Sequence, residues 1–389
     1  MSDNSLIEKI ASIDWEFSDA DTQYLTHNIH RYSGKFIPQI AQKAIQLLTN
    51  PGDTILDSYM GSGTTLLEAQ LSNRNAIGID LNPLAVLISQ VKNLRISENG
   101  LNDISTILIP YVSDLSSNGQ LSFTSQTTHD DLIQDQFSKN TWRLTDDWNR
   151  KWYQPAVLEQ LVKIYSCIEI LPSECAKQIA QVAFSDVLRK SSNASSKYPN
   201  VMYDKNHKEK PLPAKSFLEN IYSIMSCLNE LAGATADKNV DIQILQGNNL
   251  DLPLPNESVD AIITHPPYIA AVPYAEYGCL SLNWLGHDSK TLDAELTGGK
   301  RHSSKVVDNF SADYEQYFLE SYRVLKPSKY MFIMVGNPVS HGKKIPLDQM
   351  SIEFAQRAGF KHITTAIRKG QNRRGNKMGE EYLIFFQKQ

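Results

Sequence analysis

The fold is decided by the stretch Ile55-Leu56-Asp57-Ser58-Tyr59-Met60-Gly61-Ser62-Gly63-Thr64-Thr65-Leu66-Leu67-Glu68-Ala69. Residues 54–56 are β-rich and follow a Pro-Gly-Asp turn, which predicts a strand. Gly61 and Gly63 permit a tight turn, and helical spacing begins at Thr64. A strand, a glycine turn and a helix in this order present backbone N–H groups at the carboxyl edge of a sheet, where α/β folds bind ligands. The stretch therefore predicts a ligand site in an α/β fold.

A second predicted strand supports this interpretation. It comprises Ala76-Ile77-Gly78-Ile79-Asp80 and ends in a carboxylate that can accept hydrogen bonds from both hydroxyls of a ribose. Nicotinamide enzymes usually carry GxGxxG, whereas this chain has GSGTT at residues 61–65. A plain packing turn is the alternative interpretation of the glycines.

The motif DxxxGSGTT, the following GID and Asn82-Pro83-Leu84-Ala85 resemble the cofactor site of amino-methylating DNA methyltransferases. The resemblance implies S-adenosylmethionine as cofactor. It also implies a Rossmann-like class I methyltransferase fold, an α/β fold with a mostly parallel seven-stranded sheet and a C-terminal antiparallel strand. The cofactor-binding residues that it implies in this part of the chain are Asp57, Tyr59, Gly61, Ser62, Gly63, Thr64, Thr65, Asp80 and Leu81.

In this family a segment of the form H-x-y-x-x-K-F-x-P precedes the glycine loop and closes over the methionine end of the cofactor. Lys35, Phe36 and Pro38 match it. The alternative is an ordinary loop with Pro38 in the first turn of a helix. His27 and His30 are interpreted as hydrogen-bonded surface residues, because no carboxylate or cysteine stands at metal-ligand spacing, and no metal site is expected.

The second motif is His265-Pro266-Pro267-Tyr268, directly after a predicted fourth strand. It resembles the (D/N/S)PPY signature of enzymes that methylate exocyclic amines, in which Asp or Asn often accompanies adenine and Ser accompanies cytosine. Histidine matches neither form. The resemblance implies catalytic roles for all four residues.

The chemistry explains these residue types. The lone pair of an exocyclic amine is delocalised into the ring, so acceptors at His265 and the Pro266 carbonyl would make the amine a better nucleophile by binding its hydrogens. The prolines fix the carbonyl, and Tyr268 offers a face to a base swung out of its stack. Transfer should stop when His265 is protonated, near pH ~6.5 unless the cationic sulfonium lowers its pKa. Residues 271–286 resemble the serine-type subset, which favours cytosine N4.

The turn after the third predicted strand contains a further candidate. In the resembled family the position of Asn248 is usually an aspartate that meets the adenine amino group of the cofactor. Asparagine can accept the same hydrogen bond. Asn249 and Asp251 are alternatives.

The composition is that of a globular chain. Of 389 residues, 41% are hydrophobic and 21% are charged, with a net charge of −5. No apolar run approaches the ~18 residues of a membrane helix, and no signal peptide opens the chain, so a cytoplasmic protein without a membrane partner is expected. The four cysteines form no CxxC pair, which predicts buried small side chains and no disulfide framework or zinc site.

The pattern divides the chain into an N-terminal arm, two halves of a methyltransferase core and an insertion. The arm is 1–26, the cofactor-binding half is 27–95 and the catalytic half is 239–389. The insertion, 96–238, is expected to contain a helical subdomain, because 155–171, 173–188 and 217–231 show helical periodicity. We expect this insertion to recognise the DNA target. Its tryptophans are interpreted as core residues more readily than as base-stacking ones.

Three basic segments are candidates for phosphate contacts: residues 189–215, the predicted surface loop 289–309, and the predicted hairpin tip 368–377, which has five cations and no acid. Solvated loops are the alternative. The nucleic-acid-binding candidates are Lys197, Lys205, Lys300, Arg301, Arg368, Arg373, Arg374 and Lys377.

These patterns together predict a site-specific DNA methyltransferase that forms N4-methylcytosine in a flipped-out base. N6-methyladenine formation is the runner-up. An RNA base N-methyltransferase and a catalytically inactive DNA-binding specificity subunit are further alternatives. Double-stranded DNA is the expected partner, and a cognate restriction endonuclease is a second candidate partner.

Overall fold

The computed structural model describes residues 3–35, 37–118, 129–198, 200–269, 273–299, 303–340, 343–369 and 379–389. Its strands are β1 Thr54–Asp57, β2 Asn75–Asp80, β3 Ile242–Gln246, β4 Val259–Thr264, β5 Leu325–Gly336, β6 Val339–Ser340, β7 Lys343–Lys344, β8 Phe360–Lys369 and β9 Glu380–Lys388. Its α-helices are α1 Asp3–Ala11, α2 Pro38–Leu48, α3 Thr64–Leu71, α4 Pro83–Lys92, α5 Glu98–Asp103, α6 Ile109–Asn118, α7 Asp130–Asn140, α8 Trp142–Thr145, α9 Asp147–Trp152, α10 Pro155–Ile170, α11 Glu174–Ser191, α12 Pro213–Ala234, α13 Tyr274–Tyr277, α14 Cys279–Trp284, α15 Ser289–Glu295, α16 Val306–Val324 and α17 Leu347–Ala358. A 3-10 turn covers Leu25–Asn28, and a π-helical turn covers Ile104–Leu108.

Seven strands form one sheet in the order β3-β2-β1-β4-β5-β9-β8. The first five are parallel neighbours, whereas β9 is antiparallel to both β5 and β8. The predicted α/β fold, a mostly parallel seven-stranded sheet with an antiparallel C-terminal strand, is therefore confirmed. The strand order reverses between β1 and β4, and open α/β sheets bind ligands at such a switch point.

Apolar side chains cover both faces of this sheet. On one face, Leu56 and Ile262 lie in a buried cluster with residues of α16 and α17. On the other face, Ile263 and Phe332 lie in a cluster with residues of α2. Trp15 of the N-terminal arm is also buried there, with its ring stacked 6.5 Å from that of Phe332. The sheet thus has the doubly covered core expected of parallel strands.

In the described part of the segment between α4 and β3 lie the helices α5 to α12, and residues of α6, α7 and α9 to α12 share a core with α4. The predicted helices correspond to α10, α11 and α12. Trp152 is buried in this core, but Trp142 is 54% exposed and has the Arg143 guanidinium 4.7 Å from its ring. The interpretation of the tryptophans as core residues therefore fails for Trp142.

Two local predictions are wrong. The described residues of 289–309 are not a simple surface loop, because α15 occupies 289–295, α16 begins at Val306, and Leu292 is buried. Of the four cysteines, only Cys167 is buried, and all four are free. Among the described residues, no helix has the length and apolar composition needed to cross a bilayer.

Candidate active site

Parallel pairing of β1 with β4 brings the ends of the two sequence motifs together. Ile55 and Leu56 pair with Ala261 and Ile262. At the strand ends the Thr264 hydroxyl donates to Asp57 Oδ1 at 2.6 Å and accepts from the Tyr59 N–H at 3.1 Å. Burial raises the pKa of Asp57 to about 6, and the hydrogen bond from Thr264 opposes that rise. The buried hydroxyl of Thr264 thus connects the end of β4, just before His265, to the start of the glycine loop.

The glycine loop depends on two positive φ angles. Gly61 has φ +50°, and Gly63 has φ +75° at the residue before α3. A β-carbon on Gly61 would lie 3.2 Å from the Tyr32 ring, and one on Gly63 would clash with Ser89. Glycine is therefore required at both positions for space as well as for backbone conformation.

Asp80, at the end of β2, holds this loop from the other side. Its Oδ2 accepts the Gly61 N–H and its Oδ1 accepts the Asn82 N–H, both at 2.9 Å. Burial raises its pKa to about 6, so the carboxylate is mostly ionised at pH 7. Each oxygen retains further acceptor capacity, because a carboxylate oxygen can accept more than one hydrogen bond. Asp80 is thus a fixed anion at the cavity wall.

The tetrapeptide residues form a hydrogen-bonded chain with the C-terminal hairpin. His265 Nε2 lies 2.9 Å from the Tyr268 hydroxyl, which donates to Glu381 Oε1 at 3.4 Å. Burial lowers the pKa of His265 to about 4, with a backbone hydrogen bond at Gly34 opposing the shift. The ring is therefore neutral at pH 7, and the acid fall expected near pH 6.5 moves to lower pH.

Arg368 was expected to contact nucleic acid, and its environment contradicts this. Its side chain is buried, and its Nη1 lies 3.4 Å from Glu381 Oε2. In this structure the guanidinium is directed to Glu381 and is not exposed to an approaching duplex.

Both motifs border one cavity, which together with the solvent at its mouth encloses about 920 Å³ of empty space. The predicted residues that line it are Tyr59, Gly61, Asp80, Leu81, Asn249, His265, Pro267 and Tyr268. Those not among its lining residues are Lys35, Pro38, Asp57, Ser62, Gly63, Thr64, Thr65, Asn248 and Pro266. Phe36 lies outside the described residues.

Asn248 and Asn249 occupy different environments. Asn248 is exposed, and its Oδ1 accepts the Leu250 N–H at 3.0 Å. Asn249 is buried and lines the cavity. Of the alternatives that the sequence left open, Asn249 is the one whose side chain can meet a ligand there.

Sequence reasoning missed part of the cavity wall. Tyr32, Gly34 and Tyr274 line it, as do Asp293 and Thr297 around the end of α15. The Thr297 hydroxyl lies 3.2 Å from that of Tyr59. Nothing in the local pattern of 289–299 distinguishes a cavity wall from a surface loop.

A buried polar cluster behind the glycine loop was also missed. Glu68 of α3 accepts from the Tyr24 hydroxyl at 2.6 Å and lies 2.8 Å from His27 Nε2. Lys92 of α4 is buried and donates to Ser62 at 3.1 Å. Burial lowers the pKa of His27 to about 2 and raises that of Glu68 to about 7. His27 is thus a buried residue, and its interpretation as a surface residue is wrong.

This cluster also fixes the segment before α2. Lys35 Nζ donates to the His27 carbonyl at 2.7 Å. His30 is likewise not a free surface residue, because its Nε2 lies 2.6 Å from the Ser185 hydroxyl of α11. Glu68 was the available signal, since a carboxylate among the apolar residues of α3 requires buried partners.

The remaining nucleic-acid candidates divide into two groups. Lys197 and Lys205 are exposed in the segment between α11 and α12. Lys300, Arg301, Arg373, Arg374 and Lys377 lie outside the described residues.

Comparisons with known proteins agree on a family. A model of the N6/N4 type, described as a DNA methylase, matches residues 8–91. The chain is 25% identical to the type II methyltransferase M.MvaI of Kocuria varians, over 92% of this chain and 87% of that protein. It is 23% identical to the type II methyltransferase M.MjaII of Methanocaldococcus jannaschii, over 86% and 77%.

Likeness to solved structures is more distant. A SAM-dependent methyltransferase from Methanosarcina mazei aligns over 89% of this chain and 96% of its own, with 11% identity and a TM-score of 0.36. The fold assignment therefore rests on the strand order of the sheet and not on these similarities.

Replacing Thr264 by valine should destabilise the fold by about 1–3 kcal/mol, because the buried Asp57 carboxylate and the Tyr59 N–H each lose a partner while volume is kept. Urea unfolding followed by circular dichroism measures this. The control is Thr145→Val, an exposed threonine of α8, which should change stability by about 0.5 kcal/mol or less. Equal stability of the two variants would show that the Thr264 bond does not hold the strand ends together.

Proposed function

The chain belongs to the S-adenosylmethionine-dependent DNA amino-methyltransferases, and we propose that it methylates the exocyclic N4 amine of cytosine at a specific site in double-stranded DNA. The observation that carries the proposal is that Asp80, the last residue of β2, and His265, directly after β4, line one cavity. A cofactor at the first and a base at the second would meet inside it. We assign the region between α4 and β3 to target recognition.

The cavity residues fit S-adenosylmethionine. The ionised Asp80, fixed by two backbone N–H groups, suits the two ribose hydroxyls, and Asn249 suits the adenine edge. Gly61 and Tyr32 both line the cavity, and the lack of a side chain at Gly61 lets the two pack closely there. When bound, the cofactor supplies an electrophilic methyl group on a sulfonium.

His265 and the Pro266 carbonyl are the proposed acceptors for the target amine. A neutral imidazole can accept one hydrogen bond, and its lowered pKa keeps it neutral at pH 7. The Tyr268 hydroxyl is tied to His265 and Glu381, which fixes the ring that would face the base. The protein thereby holds the amine with its lone pair free.

The choice of cytosine rests on residues after the tetrapeptide, which resemble the serine-type subset of the family. Adenine N6 is the runner-up, since histidine at position 265 belongs to neither subset. Lys197 and Lys205 are proposed phosphate contacts. A cognate restriction endonuclease and a cytoplasmic location are parts of the same proposal.

Mass spectrometry of nucleosides from the DNA of an expressing host tests the activity. We expect N4-methylcytosine with the wild type and none with Asp80→Ala. N6-methyladenine in its place would move the assignment to adenine, and the absence of both would contradict a DNA amino-methyltransferase in that host.

Asp80→Ala and Gly61→Val should each weaken S-adenosylmethionine binding by about 1–3 kcal/mol, the first by removing the ribose acceptor and the second by filling and straining the turn. Isothermal titration calorimetry measures the affinity. Asp241→Ala, an exposed carboxylate just before β3, is the control and should bind like the wild type. Wild-type affinity in both site variants would place the cofactor elsewhere.

The single-turnover rate should be level from pH 8 to about 5 and fall about tenfold per unit below the His265 pKa of about 4. The sign follows from the lowered pKa, because the accepting, neutral ring persists down to that pH. His265→Ala should reduce the rate by about 10²-fold or more, and His265→Ser should retain more of it. Saturating cofactor and DNA separate chemistry from binding. A near wild-type rate in His265→Ala would leave the Pro266 carbonyl as the acceptor.

A further inference from the structure

A short antiparallel hairpin projects from the segment between α11 and α12. In this hairpin 193–204, of which residue 199 is not described, Ala194 bridges Tyr203. The Ser195 N–H donates to the Met202 carbonyl at 2.7 Å, and the Asp204 N–H donates to the Asn193 carbonyl at 2.9 Å. Its far end carries large apolar side chains into solvent.

The side chains of Tyr198 and Met202 are highly exposed, although hydrogen bonds hold the backbone near them. Tyr198 is 54% exposed and Met202 is 50% exposed. The Arg189 guanidinium donates to the Tyr198 carbonyl at 2.6 Å and to that of Asn200 at 3.2 Å. Asn193, at the base, is buried and donates to the Lys151 carbonyl at 3.0 Å. The backbone at Tyr198 and at Asn200 is therefore held by Arg189, while the Tyr198 side chain is exposed to solvent.

The hairpin stands beside the candidate active site. Asn200 Nδ2 approaches Glu276 Oε2 at 3.5 Å, and Glu276 lies on α13, the helix that carries the cavity residue Tyr274. Lys197 and Lys205 are exposed on and next to the hairpin. A duplex that delivers a base to this cavity would approach a surface that carries an exposed aromatic side chain and two exposed lysines.

A base that leaves its stack leaves a gap, and unstacking costs a few kcal/mol. Proteins that open or kink duplexes lower that cost by inserting an apolar side chain between base steps. Because an aromatic ring stacks on any base, a rigidly presented tyrosine suits the gap whatever the neighbouring sequence.

We propose that Tyr198 is a wedge that enters the duplex and fills the gap left by the target base. The inference rests on the proposed DNA methylation, and it assigns the hairpin 193–204 a role that phosphate contacts alone would not give. Lys197 and Lys205 would contact the phosphates of the same duplex.

The test compares single-turnover methylation by Tyr198→Ala on two duplexes that carry the site mapped in the expressing host. In one duplex the target base is paired, and in the other it is mismatched and already easy to extrude. We expect at least a tenfold loss of rate on the paired duplex and less than a threefold loss on the mismatched one. Tyr198→Phe should keep the rate on both, because the ring and not the hydroxyl does the filling.

Tyr222→Ala is the matched control, since Tyr222 is 55% exposed on α12, and it should behave like the wild type on both duplexes. Equal loss on paired and mismatched DNA by Tyr198→Ala, or no loss on either, would overturn the wedge. Either result leaves methylation by the wild type intact, whereas a wild type that methylates neither duplex contradicts the proposed function itself.

Discussion

The hydrogen bonds of one buried hydroxyl, that of Thr264, connect the two halves of the site. β1 and β4 are neighbours in space but are separated in sequence by the helical insertion, and the Thr264 hydroxyl joins the Asp57 carboxylate to the Tyr59 N–H where both strands end. The loop that presents Gly61 and the turn that presents His265 diverge from this point. Their separation is therefore set by the core of the sheet, which is close-packed and resists deformation.

The loop has a second support beneath it. Glu68, His27, Lys92 and Ser62 form a buried polar cluster that reaches from the segment before α2 to α4. Burying such groups is costly, and a partly satisfied cluster is worse than an apolar one. What the cluster provides is a fixed geometry, because hydrogen bonds are directional and apolar contacts are not. The cluster fixes the glycine loop relative to two helices and to the chain segment around Lys35.

The sheet and its two motifs could be predicted from sequence because the signals are local: glycines with a required conformation, strands ending in Asp80 or Thr264, and a hairpin of alternating residues. What could not be predicted depends on neighbours distant in sequence. In the turn after β3 the Asn248 Oδ1 accepts the Leu250 N–H, and Asn249, not Asn248, lines the cavity. Glu381 decides that Arg368 is buried, and the packing of Leu292 decides that 289–295 is a helix against the core. Polarity alone suggested solvent in the last two cases.

The position of β9 has a consequence for how the chain is made. β9 lies between β5 and β8, so in the described sheet β8 is joined to the rest through a strand that is synthesised after it. Until β9 emerges from the ribosome, the edge of β5 is open and β8 lacks the strand with which it pairs in the described sheet. Unpaired edges and long-range pairings slow folding and invite association between chains. We therefore expect nascent chains of this protein to be prone to aggregation until β9 inserts between β5 and β8.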